Sequence, residues 1–133
     1  MIVGVGIDLV EIERMRKTLG QPTGSRFLER ILTPKEQELA QQKKGRLAEY
    51  AAGRFAAKEA IVKALGCGIG KQVGFQDVEV CPDELGKPHC VIKKEALERA
   101  GVHEEVRIHL SITHTESLAS AYAIVERLNV ATS

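Results

Sequence analysis

The sequence predicts an α+β fold in which helices pack on one face of an antiparallel sheet. Three observations carry this prediction: an apolar run at the N-terminus, a long helical pattern in mid-chain, and two alternating strands near the end. The predicted order β-α-α-α-β-β-α-β-β keeps helices and strands in separate groups, as α+β folds do. With 133 residues, the chain fits one domain spanning positions 1–133.

The N-terminal region predicts a strand followed directly by a helix. Ile2–Val10 is a short apolar run, typical of a buried strand that ends at Asp8 or shortly after. Glu11–Leu19 predicts a short helix stopped by Gly20, and a loop over positions 21–25 follows.

Two further helices are predicted before the middle of the chain. Thr33 suits an N-cap, Pro34 the first helical position and Glu36 the acid of a capping box. Arg46–Leu65 is the longest helical pattern, with Gly66 as its C-cap.

The second half of the chain is dominated by strands. Residues 106–113 alternate apolar and polar side chains, which predicts a half-buried strand, and Leu118–Val125 forms an antiparallel hairpin with it. The other predicted elements are a glycine-rich loop Gly66–Gly70, a strand Val73–Cys81, a turn Pro82–Pro88, a strand His89–Ile92 and a helix Lys93–Ala100.

Composition excludes several classes of protein. A net charge of +1 and 4% aromatic residues argue against nucleic-acid binding. Uncharged stretches are far shorter than the roughly 18 apolar residues of a membrane span. The N-terminus lacks the basic region of a signal peptide. Cys67, Cys81 and Cys90 are odd in number and show no metal-binding spacing, so a reducing cytoplasm is the expected compartment.

Glu59 is the most informative polar residue, because it lies within the apolar arc of the long helix, one turn from Phe55 and Val62. A carboxylate there is expensive to desolvate unless a cation or hydrogen-bond donor meets it. The alternative is an ordinary surface ion pair between Glu59 and Lys63, four residues later, at the edge of the apolar arc.

Asp8 adds a second carboxylate at the end of a strand, although capping of the next helix is an alternative role. With Glu59 and Lys63, it would suit a Mg²⁺–phosphate site, since Mg²⁺ takes one or two carboxylates and completes its shell with phosphate oxygens and water. The loop Gly66–Gly70 offers backbone N–H groups to an anion. This loop is not a Walker A motif, and termination of the preceding helix explains much of its glycine content.

The polar face of the strand near the end is a second candidate site. Arg107, His109, Ser111 and Thr113 can all donate hydrogen bonds, but a solvated strand face is an equal alternative. His109 and Ser111 are not the oriented nucleophile–base–acid set of acyl transfer. His114, in the adjoining turn, is a weaker candidate for a metal ligand.

Charge is unevenly distributed despite the neutral total. Five basic residues face one acid, Glu29, between positions 14 and 30, so this stretch carries +4. The five are Arg14, Arg16, Lys17, Arg26 and Arg30. A solvated helix face is the usual meaning of such a run, and a docking surface for an acidic partner is the functional one.

Two motifs resemble the signatures of bacterial holo-(acyl-carrier-protein) synthases. GIDLVEIER at Gly6–Arg14 resembles the N-terminal signature, and GRFAAKEAIVKA at Gly53–Ala64 resembles the second. Shorter segments follow in the order and spacing of that family, and the resemblance covers nearly the whole chain. These segments are 27–33, 66–70, 75–77, 86–88 and SITHT at 111–115.

This resemblance implies a Mg²⁺-dependent phosphopantetheinyl transferase that supports fatty acid biosynthesis. Such an enzyme transfers the 4'-phosphopantetheine arm of coenzyme A to a serine of apo acyl carrier protein and releases adenosine 3',5'-bisphosphate. It also implies a homotrimer with active sites between subunits, metal ligands at Asp8 and Glu59, and a catalytic role for Lys63. The base is left open between Glu59 and a water, with a metal-associated water assisted by Glu59 preferred.

The remaining site residues follow from charge, position and the same resemblance. His109 and Thr113 are expected at the nucleotide end, Gly86, Lys87 and Pro88 at the adenine, and the backbone of Gly66 and Gly68 near the phosphates. The ribose 3'-phosphate has four candidate ligands, namely Lys44, Arg46, Arg54 and His109. The acidic carrier protein is expected on Arg14, Lys17, Arg26 and Arg30, with Phe27 as an apolar anchor.

Two rival functions use the same residues differently. A Mg²⁺-dependent nucleotide phosphohydrolase would use Asp8 and Glu59 to activate water. A non-catalytic module would bind acidic helices through the basic stretch, and it would leave the position of Glu59 unexplained. Nucleic-acid binding is weaker still, because the basic run is short.

Overall fold

Two separate antiparallel sheets and a central helix organise the chain. The computed structural model describes residues 1–128. Its strands are β1 (Ile2–Glu11), β2 (Val78–Pro82), β3 (Pro88–Ile92), β4 (Val106–His114) and β5 (Leu118–Arg127). Its α-helices are α1 (Ile12–Leu19), α2 (Gly24–Ile31), α3 (Pro34–Ala40), α4 (Leu47–Leu65) and α5 (Lys94–Arg99). One sheet has the order β1-β5-β4, and β2 and β3 form the other.

The predicted α+β class and the C-terminal hairpin are confirmed, whereas one helix was missed and one strand begins later than predicted. Helix α2 was not predicted, because its N-cap Thr23 makes no side-chain capping bond and its first residue is glycine. The predicted strand Val73–Cys81 begins only at Val78, since a 3₁₀ turn occupies Phe75–Asp77. The capping box of Thr33 and Glu36 is present as predicted.

Strand β1 has two unlike faces, which corrects the prediction that it is buried. Gly4 and Gly6 face α4 so closely that a Cβ at either would lie 1.9 Å from a helix carbonyl oxygen, so only glycine fits. The alternate residues point away from α4, and Val5, Ile7 and Leu9 are 49%, 55% and 63% exposed. Within one chain, therefore, this sheet has an uncovered apolar face.

Helix α4 forms the centre of the molecule. It packs against β1, β5, β4 and α1, and most of its residues are buried on every side. The helix ends as predicted at Gly66, which adopts a left-handed conformation with φ +84°. Because α4 contacts so many elements, side chains along it reach different surfaces of the protein.

A fully buried ion pair fixes α4 to the elements around it. The Lys58 ammonium donates to Glu36 Oε1 at 2.6 Å, to the Ile31 carbonyl at 2.7 Å and to the Phe75 carbonyl at 2.9 Å. Glu36 Oε2 accepts from the Val80 amide at 2.6 Å. Burial lowers the pKa of Lys58, and the Glu36 carboxylate opposes that shift. All three ammonium protons therefore have acceptors, as a buried charge requires.

Lys58→Met should lower the free energy of unfolding by about 3–5 kcal/mol, because it leaves the Glu36 carboxylate buried without its cation. Urea unfolding of the two proteins measures this difference. Glu13→Ala is the matched control: it removes one side of an exposed pair with Arg16 and should cost less than about 1 kcal/mol. An unchanged urea midpoint for Lys58→Met would contradict the role given to this pair.

No helix within residues 1–128 combines the length and the apolar character needed to cross a membrane. The three cysteines, Cys67, Cys81 and Cys90, all lie in this part of the chain and are free thiols.

Candidate active site

Asp8 and Lys63 meet where strand β1 passes helix α4. Asp8 lies on the same face of β1 as Gly4 and Gly6, so its side chain points toward α4. The Lys63 ammonium donates to Asp8 Oδ1 and to the Ile7 carbonyl, each at 3.0 Å. The alternative surface pair between Glu59 and Lys63 is wrong, because Lys63 forms its ion pair with Asp8. Asp8 does not cap α1 either, since Glu11 occupies the N-cap position.

Glu59 lies close enough to Asp8 for the two carboxylates to interact. Burial raises the pKa of Glu59, the Asp8 carboxylate raises it further, and Lys63 opposes both effects. Two carboxylates that repel each other across one cavity would be stabilised by a shared cation. Residues 1–128 contain no cluster of three or more His, Cys, Asp or Glu side chains placed for a metal. A pair of carboxylates nevertheless fits Mg²⁺, which draws its other ligands from phosphate and water.

One cavity of about 630 Å³ contains both carboxylates and part of the basic surface. Arg14 and Arg30 line the same cavity as Asp8 and Glu59. Its apolar wall is a row of three aromatic rings, Phe27, Phe55 and Phe75, with centroid separations of 6.3 and 5.3 Å. The Arg30 guanidinium lies 5.3 Å from the Phe27 ring centroid. We call this space the carboxylate cavity.

A second cavity of about 450 Å³ gathers several of the predicted nucleotide residues. Arg46, Arg54, Pro88 and Thr113 all line it, and we call it the cationic cavity. The predicted Gly86 lines it as well. The other lining residues were not predicted for the nucleotide, and they are Lys43, Glu49, Tyr50, Gly53, Ile112 and His114. Tyr50 could have been found from the sequence, because it lies four residues from both Arg46 and Arg54 and therefore on their side of the predicted helix.

Other predicted site residues lie outside both cavities. Lys87 and His109 line a third cavity of about 390 Å³, between the β2–β3 hairpin and β4. His109 Nε2 lies 2.9 Å from Glu126 Oε1, and this hydrogen bond lowers the pKa of Glu126. The structure does not bring the rest into either of the two larger cavities. These are Lys44, Gly66, Gly68, Lys17 and Arg26. Lys63 also lines neither cavity, although its ammonium contacts Asp8.

The carboxylate and cationic cavities open on opposite sides of α4 and share no lining residue. Tyr50 and Glu59 are nine residues apart, which at 3.6 residues per turn places them about half a turn out of phase. One chain therefore presents two separate surfaces with complementary chemistry. One can hold a divalent cation, and the other can hold an anion. A cation site and an anion site on one chain are the two kinds of surface that a phosphorylated ligand would require.

Comparisons with known proteins identify the family. The model of the 4'-phosphopantetheinyl transferase superfamily matches residues 4–123. The holo-(acyl-carrier-protein) synthase of Geobacillus kaustophilus is 46% identical over 129 residues, which cover 96% of this chain and 92% of that protein. The chain therefore belongs to the 4'-phosphopantetheinyl transferase superfamily. Within that superfamily, the relatives it matches are holo-(acyl-carrier-protein) synthases.

Solved structures agree with this assignment. The holo-(acyl-carrier-protein) synthase of Bacillus anthracis, in complex with CoA (3',5'-ADP), has a TM-score of 0.82 and 45% identity, covering 96% of this chain and 99% of that one. The synthase of Helicobacter pylori in complex with coenzyme A has a TM-score of 0.79 and 33% identity, covering 92% of this chain and 99% of that one. The fold and the sequence thus place the chain in the same family.

Proposed function

We propose that this protein transfers 4'-phosphopantetheine from coenzyme A to a serine of apo acyl carrier protein, in support of fatty acid biosynthesis. The observation that carries the proposal is the carboxylate cavity, which is lined by both Asp8 and Glu59 and by Arg14 and Arg30. The first pair suits a metal-bound pyrophosphate, and the second suits an acidic protein. Family membership supports the same activity.

Asp8 and Glu59 would hold Mg²⁺, which, when bound, supplies positive charge to the pyrophosphate at which the bond breaks. Lys63 adds a cation from the protein itself. Its ammonium has three N–H donors, and the bonds to Asp8 and Ile7 use two of them. The third donor is left for a phosphate oxygen, which would place Lys63 beside the reacting group.

The transfer forms one bond and breaks one. The serine Oγ attacks the β-phosphorus of coenzyme A, and the pyrophosphate P–O bond breaks to release adenosine 3',5'-bisphosphate. The serine proton passes to Glu59, directly or through a water that Glu59 holds. Most of the rate gain comes from holding the groups in line.

The cationic cavity would bind the nucleotide end of coenzyme A. Three cations line it, Lys43, Arg46 and Arg54. Among residues 1–128, the one acid that lines it is Glu49, which accepts a hydrogen bond at 3.2 Å from Arg16, a cation outside the cavity lining. Because the pyrophosphate belongs at the carboxylates, the anion in this cavity would be the ribose 3'-phosphate.

A second copy of the chain would complete the site. The two cavities lie on opposite sides of α4, so one subunit would supply carboxylates and its neighbour would supply cations. The apolar outer face of β1, with Val5, Ile7 and Leu9 exposed, offers a surface on which subunits can pack. The family resemblance implies three subunits, and we propose a homotrimer.

Arg14→Glu should raise the apparent KM for the carrier protein by about tenfold or more while leaving the KM for coenzyme A within about twofold. Arg14 lines the carboxylate cavity but not the cationic one, so its reversal opposes an acidic partner selectively. Steady-state kinetics with each substrate varied in turn measure both values. Lys94→Glu, a matched reversal on α5 outside both cavities, is the control. Equal effects of Arg14→Glu on both substrates would remove the docking argument.

Release of adenosine 3',5'-bisphosphate tests the proposed reaction against nucleotide hydrolysis. The protein is incubated with coenzyme A and Mg²⁺, with or without apo carrier protein. A transferase releases the nucleotide only when the carrier is present, and holo carrier protein as acceptor gives no release. Release at the same rate without carrier protein would favour the phosphohydrolase instead.

A further inference from the structure

Arg54 lines the cationic cavity, and in the described part of the chain one of its N–H donors has no protein acceptor. Its Nε atom is buried and has no hydrogen-bond partner within residues 1–128. Its guanidinium carbon lies 4.6 Å from the centroid of the Tyr50 ring, one turn earlier on α4. An arginine at that distance from an aromatic face is held by a cation–π interaction. The direction of this guanidinium therefore depends on Tyr50.

Tyr50 is itself rigidly held. It is buried, and its hydroxyl donates to the backbone carbonyl of Glu36 at 3.2 Å. Glu36 belongs to the buried network around Lys58, which ties α3 to α4. Burial raises the pKa of Tyr50 to about 12, so the hydroxyl remains a neutral donor at physiological pH. The ring is thus a fixed platform beneath a long, flexible side chain.

The same ring lies near a second cation of this cavity. The Lys43 ammonium is 5.9 Å from the Tyr50 centroid. One aromatic ring therefore gathers two of the three cations that line the space. Two cations held beside one ring repel each other, and an anion bound between them is attracted by both. A planar guanidinium fixed in this way is suited to a phosphate monoester.

We propose that Tyr50 is a positioning residue for nucleotide recognition. By holding Arg54 toward the ribose 3'-phosphate, it sets the preference for coenzyme A over 3'-dephospho-coenzyme A. The inference depends on the proposed function for one thing only, which is the identity of the ligand. It deepens that function, because it names a residue that touches no reacting atom and selects the substrate through Arg54.

Direct binding tests this inference without any transfer reaction. Calorimetry measures the Kd of adenosine 3',5'-bisphosphate and of adenosine 5'-monophosphate, which lacks the 3'-phosphate, for the parent protein and two variants. Tyr50→Leu removes the aromatic face, whereas Tyr50→Phe keeps it. Tyr50→Leu should weaken the 3',5'-bisphosphate by about tenfold and narrow the preference between the ligands by the same factor. Tyr50→Phe should keep the preference within about twofold.

An equal loss for both nucleotides would overturn the proposal, since a merely structural role would weaken both alike. An unchanged preference in Tyr50→Leu would overturn it as well. If Tyr50→Leu fails to fold by circular dichroism, Arg54→Lys replaces it, because it keeps the charge but loses the planar stacking, and the same narrowed preference is expected. Binding that behaves as proposed, in a protein that transfers nothing to a carrier, would refute the proposed function and leave the role of Tyr50 standing.

Discussion

Asp8→Asn and Glu59→Gln should each lower phosphopantetheine transfer by about 10³-fold or more at a fixed Mg²⁺ concentration. Each substitution preserves the size of the side chain and removes one of the two negative charges in the carboxylate cavity. Each variant would then lose one of the two anionic ligands that hold a cation against the pyrophosphate. Residual activity of both variants, measured against Mg²⁺ concentration, should reach half of its maximum only at a much higher Mg²⁺ concentration than for the parent protein.

Folding should survive these changes. Glu59 is only partly buried, and the Asp8 side chain is 18% exposed, so neither substitution strands a fully buried charge. Circular dichroism and thermal melting check this directly. Glu98→Gln, on the surface helix α5 and outside the carboxylate and cationic cavities, is the matched control and should retain full activity. Full activity in Asp8→Asn or Glu59→Gln would remove the metal assignment of that residue.

Mixing two inactive variants should restore activity if the site lies between subunits. Asp8→Asn damages the carboxylate half of the site, and Arg54→Ala damages the cationic half. In mixed assemblies, some interfaces pair an intact carboxylate half from one variant with an intact cationic half from the other. With random exchange, roughly a quarter of the interfaces would be intact, so about a quarter of the parent activity should return.

Each variant must be inactive alone and must assemble normally for this result to be interpreted. Light scattering gives the mass of each assembly, and a trimer is expected for both. A double variant, Asp8→Asn with Arg54→Ala on one chain, mixed with itself, is the negative control. Refolded mixtures that remain inactive despite demonstrated subunit exchange would contradict a shared site. An active monomer at assay concentration would contradict it too.

Much of the carboxylate site was open to prediction, because the pattern of the chain constrains it. Period-two alternation puts Asp8 on the face of β1 that carries Gly4 and Gly6, and those glycines exist because α4 lies directly on them. Helical phase puts Glu59 and Lys63 on the side of α4 that reaches the same point. The meeting of Asp8 with Lys63 follows from these two periods and the close packing of strand and helix.

Other features could not be read from the sequence alone. The exposed side of β1 was predicted to be buried, because Val5, Ile7 and Leu9 are apolar and a sequence does not say what covers them. Tertiary packing also divides the basic residues of positions 14–30. Arg14 and Arg30 line the carboxylate cavity, whereas Lys17 and Arg26 lie outside it. Likewise, His109 lies on the predicted polar face of β4, yet its partner is Glu126 of the neighbouring strand.

Mass spectrometry of apo acyl carrier protein tests the proposed function most directly. The carrier is incubated with this protein, coenzyme A and Mg²⁺, and its mass is compared with that of a sample lacking the protein. The proposal predicts an increase by the mass of one phosphopantetheine group, located on a serine, and no increase when the Asp8→Asn variant is used. An unchanged carrier mass, with the protein folded and coenzyme A and Mg²⁺ in excess, would contradict the proposed function.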